Sequence, residues 1–211
     1  MTDIEVIPAI LTDDMGVLKK RLAQVEDLVE RVQIDVVDKT FADNSTLGVE
    51  SLTEVETALL LDAQLMVQEP VRYVNRCDWV GVERVFGQVE QMSDQDEFVE
   101  QVLALGLQVG LALDVHTPVE AVEEHLGRVD AILLMAVEVG FAKQEFDEGV
   151  LKKIDQVRRG YPVIDICVDG GVNPETARWC IDRGANQLAV GSFLWEADDV
   201  GRAVEELLSL R

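Results

Sequence analysis

The chain has 211 residues, 48% hydrophobic and 28% charged, with 41 Asp plus Glu against 18 Lys plus Arg and a formal net charge of -23. Such a composition supports one well-buried domain rather than disorder, and the acidic surface disfavours nucleic acid and membranes as partners while leaving room for a small phosphorylated ligand held by backbone N–H groups. The three scattered cysteines form no disulfide framework, two histidines are too few for a three-His metal site, and the opening MTDIEVIPAI has no basic segment or long apolar run, so a cytoplasmic protein is expected.

In chain order, Ile4–Ile10 reads as an apolar strand and Asp13–Val29 as an amphipathic helix. Val32–Val37 is the second strand, and Ser51-x-x-Glu54 carries the capping-box pattern of a helix start. Ala63–Val67 is the third strand. A short helix over Val71–Arg76 then precedes a fourth strand at Trp79–Val82. The helix Asp94–Leu105 leads to strand Gln108–Leu113. Thr117-x-x-Glu120, with Pro118 at the first helical position, opens the next helical segment. Strand Ala131–Val137, helix Gly149–Arg158 and strand Val163–Val168 follow. Asn173-Pro174 starts another helix, strand Gln187–Val190 comes next, and Asp198–Leu208 closes the chain as a helix.

Near-continuous Val, Ile and Leu in these strands indicates a parallel sheet buried on both faces. Eight β/α units fill residues 1–211 with short loops, at the lower size limit of a (β/α)8 TIM barrel, which is ~200 residues. The rival doubly wound sheet lacks its G-x-G-x-x-G after the first strand, where the sequence is Pro8-Ala9-Ile10-Leu11. A single-domain α/β barrel is therefore expected.

Active sites of such barrels lie at the C-terminal strand ends. Polar residues gather there: Gln33, Asp35, Gln64, Glu83, Asp114, Glu138, Asp169 and Ser192. Gln33 and Asp35 share one strand face. A carboxylate in an apolar strand is costly to bury without a partner or a task. One such Asp fits a structural cap or an Arg pair equally well; two on different strands favour chemistry. Gly170-Gly171 and Gly191-Ser192 follow strands seven and eight, where this fold holds phosphates on backbone N–H groups. Gly140, after strand six, is a further candidate donor, and Met66 and Met135 are placed beneath the site.

The order of these motifs resembles the ribulose-phosphate 3-epimerase family over nearly the whole chain. Ile7-Pro8-Ala9-Ile10-Leu11 resembles its I-x-P-S-I-L. Gln33-Ile34-Asp35-Val36-Val37-Asp38, with Phe41 and Asn44, resembles H-x-D-x-M-D-G-x-F-x-P-N. Gln64-Leu65-Met66 before Pro70 resembles H-L-M-x-x-x-P. Gly140-Phe141 with Gln144-x-Phe146 resembles the loop N-P-G-F-G-G-Q-x-F, and Val168-Asp169-Gly170-Gly171 with Ala189-Val190-Gly191-Ser192 resembles the last two strand ends. The resemblance implies C3 epimerisation of a ketose phosphate such as ribulose 5-phosphate, with Asp35 and Asp169 as acid and base. Phosphate would sit on Gly140, Gly170, Gly171, Gly191 and Ser192, and Gln33, Gln64, Met66 and Met135 would complete the substrate site.

Both metal-binding histidines of that family are glutamine here, Gln33 and Gln64, and its serine is Ala9. The expected cofactor is therefore none, or a weakly held Mg or Mn rather than Zn on the oxygens of Asp35, Asp169, Gln33 and Gln64. Two alternatives stand beside an epimerase: a catalytically silent sugar-phosphate binder, and another ketose-phosphate enzyme of the same superfamily. The sequence leaves a homo-oligomer open.

Overall fold

The computed structural model describes residues 4–138 and 144–210. Its strands are β1 (Glu5–Ile10), β2 (Arg31–Val37), β3 (Leu60–Met66), β4 (Arg84–Gln88), β5 (Gln108–Leu113), β6 (Ala131–Met135), β7 (Asp165–Asp169) and β8 (Gln187–Val190). They pair in parallel in sequence order, and β8 closes on β1, giving the expected barrel. The helices are α1 (Met15–Val25), α2 (Val74–Trp79), α3 (Gln95–Ala104), α4 (Gly149–Gly160), α5 (Pro174–Asp182), α6 (Ser192–Trp195) and α7 (Val200–Leu208). No helix among the described residues is long and apolar enough to cross a membrane.

Strand alternation sorts side chains into two layers. On β2, Val32, Ile34 and Val36 join the large cluster that packs against the helices, while Val37 belongs to a second cluster with Ala9, Met66, Phe86, Leu133, Met135 and Cys167. Each large apolar side chain buried in this way contributes about 1.5–3 kcal/mol. Phe86 fills the interior across Gly110, where an added Cβ would lie 2.2 Å from its ring.

The interior also holds polar residues near both ends of the strands. Towards the N-terminal end, Asp62 bonds both Arg31 and Arg84, and Arg84 Nη1 donates to Gln187 Oε1 at 2.9 Å. Asp62 is fully buried and Arg84 nearly so. The cysteines Cys77, Cys167 and Cys180 are free and buried. Burial pushes the thiols of Cys77 and Cys180 up to about 12, and that of Cys167 up as well.

Three local expectations fail. The fourth strand is Arg84–Gln88, not Trp79–Val82: Trp79 ends α2 and is 68% exposed, and Gly81 turns the chain at φ +80°. Glu83 consequently precedes β4 rather than ending it. The two capping boxes do not form. Ser51–Glu54 lies in a 3-10 turn over Val49–Glu54, and Thr117–Glu120 leads into one over Val119–Ala121, neither with a side-chain cap bond. After Pro118 the chain keeps i to i+3 bonding, with Val122 N donating to Val119 O and His125 N to Val122 O. The helix start at Asn173-Pro174 does form, with Asn173 and Thr176 capping each other reciprocally.

Candidate active site

At the C-terminal ends of the strands a cavity of about 400 Å³ opens, within the size range of small-molecule sites. Asp35, Gln64, Met66, Met135, Asp169, Gly170, Gly171, Gly191 and Ser192 all line it. Gln33 lies completely buried beside them. Gly140 falls outside the described residues.

The parallel register sets the floor. Gln33 is two residues before Asp35 on β2 and shares its interior face, and Asp35 pairs in register with Gln64 on β3. Asp169 ends β7, opposite Met135 on β6. Gln33 Nε2 then sits at a hub, 2.8 Å from Asp35 Oδ1, 2.7 Å from Asp169 Oδ2 and 2.8 Å from Gln64 Oε1.

An amide nitrogen has two hydrogens, so it cannot satisfy three acceptors. Gln64 Oε1 also lies 3.0 Å from Asp169 Oδ2 and 3.3 Å from Asp35 Oδ1. Turning over the Gln64 amide would offer those carboxylates donors, but would set two NH2 groups 2.8 Å apart. One proton held by the carboxyl pair and directed at Gln64 Oε1 satisfies the cluster without that clash. Gln33 Oε1 is buried and accepts no hydrogen bond among the described residues; the amide faces its nitrogen to the acids at the expense of its own oxygen.

The electrostatics agree with a shared proton. Burial, and then the neighbouring Asp169 charge, raise Asp35 to about 8, against the pull of the Gln33 hydrogen bond and of Arg21. Burial raises Asp169 to about 6, opposed by Gln33 and by the Gly170 N–H. Asp169 is partly open to the cavity and Asp35 is buried, so Asp35 keeps the proton longer.

The consequence for stability has a definite sign. A carboxyl whose folded value lies above its unfolded ~3.9 binds its proton more tightly in the folded state. Its contribution is complete below about pH 4 and is lost as pH rises through about 6 and about 8. The melting temperature of Asp35→Asn relative to wild type should therefore climb between about pH 5 and about pH 9. A difference that is flat or falls with pH would remove the shared proton.

Gln64 Nε2 points away from the acids, toward a weak acceptor, Met135 Sδ at 3.2 Å, and a distant one, Gln88 Oε1 at 3.4 Å. Gln88 in turn donates to Glu90 at 2.8 Å. The sequence reading missed Gln88 because it placed the strand too early; its signal, an alternating Arg84-Val85-Phe86-Gly87-Gln88, was masked by the buried Arg and by a glycine. Gly87 is needed there, since a Cβ would lie 2.6 Å from the Phe98 ring. Asp38, part of the second motif, accepts from Thr40 N at 2.9 Å and Tyr73 Oη at 3.1 Å, and so ties down a loop.

Two of the rim glycines have a conformational reason. Gly170 and Gly171 have φ +105° and +63°, and a Cβ at Gly171 would meet the Phe146 backbone at 3.0 Å. Gly191 leads directly into α6.

As oxygen donors for a cation, the floor offers two carboxylates and two amides. Among the described residues no group of three or more His, Cys, Asp or Glu is arranged to hold a metal. The group facing the centre is the Gln33 NH2, whose hydrogens repel a cation, so these residues as oriented do not fit a divalent metal.

The sequence model of the Ribulose-phosphate 3 epimerase family matches residues 5–195. The chain is 36% identical to ribulose-phosphate 3-epimerase of Bacillus subtilis (strain 168), over 97% of this chain and 98% of that protein. It is 36% identical to the chloroplastic ribulose-5-phosphate-3-epimerase of Arabidopsis thaliana, over 97% and 76%. Among solved structures, a 3-hexulose-6-phosphate synthase superposes with TM-score 0.71 at 17% identity, over 100% of this chain and 99% of the other. That likeness speaks to the fold alone. With an epimerase-family match over residues 5–195 and relatives at 36% identity matched over 97% of this chain, the chain belongs to the ribulose-phosphate 3-epimerase family.

Proposed function

We propose that this chain is an isomerase that inverts C3 of a phosphorylated ketose, ribulose 5-phosphate being the substrate its relatives' names suggest. The observation that carries the proposal is the pair Asp35 and Asp169, from β2 and β7, sharing one amide donor at the floor of the cavity. Inversion through an enediolate needs one base and one acid on opposite faces of a planar carbon. A pair that holds one proton between unequal carboxyls supplies both at neutral pH.

In the forward step an ionised Asp takes the C3 proton. The C3–H electrons form the C2–C3 double bond, and charge moves to the C2 oxygen. The protonated Asp returns a proton to the other face of C3, and the C2 carbonyl re-forms. Gln64 Nε2, held now only by a thioether and a long amide contact, is the donor available to that oxygen. The phosphate is assigned to the backbone of Gly170, Gly171, Gly191 and Ser192, where side chains leave the anion room.

Since the Gln33 NH2 occupies the centre of the acid cluster, no step is assigned to a metal. The test is deuterium exchange at C3 of ribulose 5-phosphate in D2O, with EDTA, with Zn and with Mn. Exchange and epimerisation that persist in EDTA are expected. Activity abolished by EDTA and restored by Zn would overturn the role given to the glutamines. Phosphate binding without exchange under any condition would make the chain a silent binder.

A further inference from the structure

We infer that Arg21 is the residue that recognises the substrate's phosphate charge, a specificity element supplied by α1 beside the glycine loops. The inference deepens the proposed ketose-phosphate reading, and its test separates the two.

Among the described residues lining the cavity, Arg21 is the one cation; Asp35, Asp169 and Glu196 are the acids. A phosphate entering a cavity with those acids, in a chain of net charge -23, meets repulsion that, without Arg21, backbone dipoles alone would have to overcome. A fixed guanidinium offsets it directly and offers a planar fork that suits phosphate oxygens.

Arg21 is held in place for that task. Its Nη1 donates to Leu11 O at 3.3 Å, and its Cζ lies 5.0 Å from the centre of the Trp195 ring. Trp195 is fixed in turn, because its Nε1 donates to Ala9 O at 2.7 Å. The same carbonyl oxygen lies 3.8 Å from where a Cβ on Gly191 would stand. Arg21, Trp195, Ala9 and Gly191 are thus one contiguous wall of the cavity, and Ser192 follows Gly191 on it. With one donor committed to Leu11 O, the guanidinium keeps others for a ligand. Stacking on the indole and a single carbonyl contact orient the group without neutralising it.

The experiment measures binding of inorganic phosphate by calorimetry, and KM and kcat for ribulose 5-phosphate, in wild type, Arg21→Gln and Arg21→Lys. Melting temperatures without ligand confirm that the variants fold. Arg21→Gln should weaken phosphate binding about 10- to 100-fold, the range for one charge-assisted contact, and raise KM by a similar factor. Arg21→Lys, which keeps the charge but loses the fork and the stacking, should recover part of the loss. Equal phosphate affinity in wild type and Arg21→Gln would overturn the inference. So would a fall in kcat with phosphate affinity intact, which would place Arg21 at the reacting carbons instead. Should wild type bind phosphate through Arg21 yet turn over no ribulose 5-phosphate, the anion site stands and the epimerase reading falls.

Discussion

Asp35→Asn and Asp169→Asn should each lower epimerisation of ribulose 5-phosphate by about 10²–10⁴-fold, the span attributed to one general acid or base. The more telling result is isotopic. Each variant keeps one working carboxyl, so in D2O it should still exchange the C3 proton of one epimer while failing to invert it. The other epimer should be inert. The two variants should show opposite patterns, because the proposed scheme sets the acids on opposite faces of the carbon. NMR of the recovered ketose phosphate reads both outcomes. Variants that lose exchange with both epimers equally would mean that the two carboxyls act as one unit on one face, and the two-base scheme would be wrong. Both substitutions also change the hub: Asn offers Gln33 an acceptor of lower charge and removes the need for the shared proton. Melting data on the same variants separate that effect from chemistry.

The second large effect concerns stability. Asp62→Ala should destabilise the fold by about 3–5 kcal/mol, as expected when one partner of a buried ion pair is removed. The reason is that Asp62 is the fully buried carboxylate bonded to both Arg31 and Arg84. For a chain of this size the melting temperature should drop by about 6–20 °C. Asp62→Asn, which keeps hydrogen-bond acceptance on one atom, should cost less. A shift below about 2 °C for Asp62→Ala would show that water or rearranged acceptors reach the arginines. The cluster itself need not stabilise the barrel relative to an apolar one, since desolvating three ions is expensive; only breaking it is costly.

Much of this molecule was legible in the sequence because barrel strands carry their own pattern. Val32 to Val37 alternates helix-facing aliphatics with Gln33 and Asp35, and the structure keeps that alternation. The pair Gly170-Gly171 was legible because positive φ and close approach leave few alternatives there, while Gly191-Ser192 was legible from its place at the end of the eighth strand. What was not legible depended on partners far away in sequence. Arg84 disguises β4, because an arginine in a strand signals exposure unless Asp62 is known to face it. Gln88 was lost with that strand. Arg21 carries no signal of its own on the amphipathic α1; only the fold brings it over Trp195, 174 positions later by the numbering. The capping boxes at Ser51 and Thr117 failed because a four-residue signature does not specify how much helix the crossover has room for.

The three thiols have a consequence for how the molecule can be watched. Protonated and shut away, Cys77, Cys167 and Cys180 present no reactive sulfur while the barrel is closed. Each becomes reactive only when its own neighbourhood opens: α2 for Cys77, α5 for Cys180, and the barrel interior itself for Cys167. Alkylation rates at the three sites therefore separate peeling of individual helices from rupture of the sheet, with no label introduced.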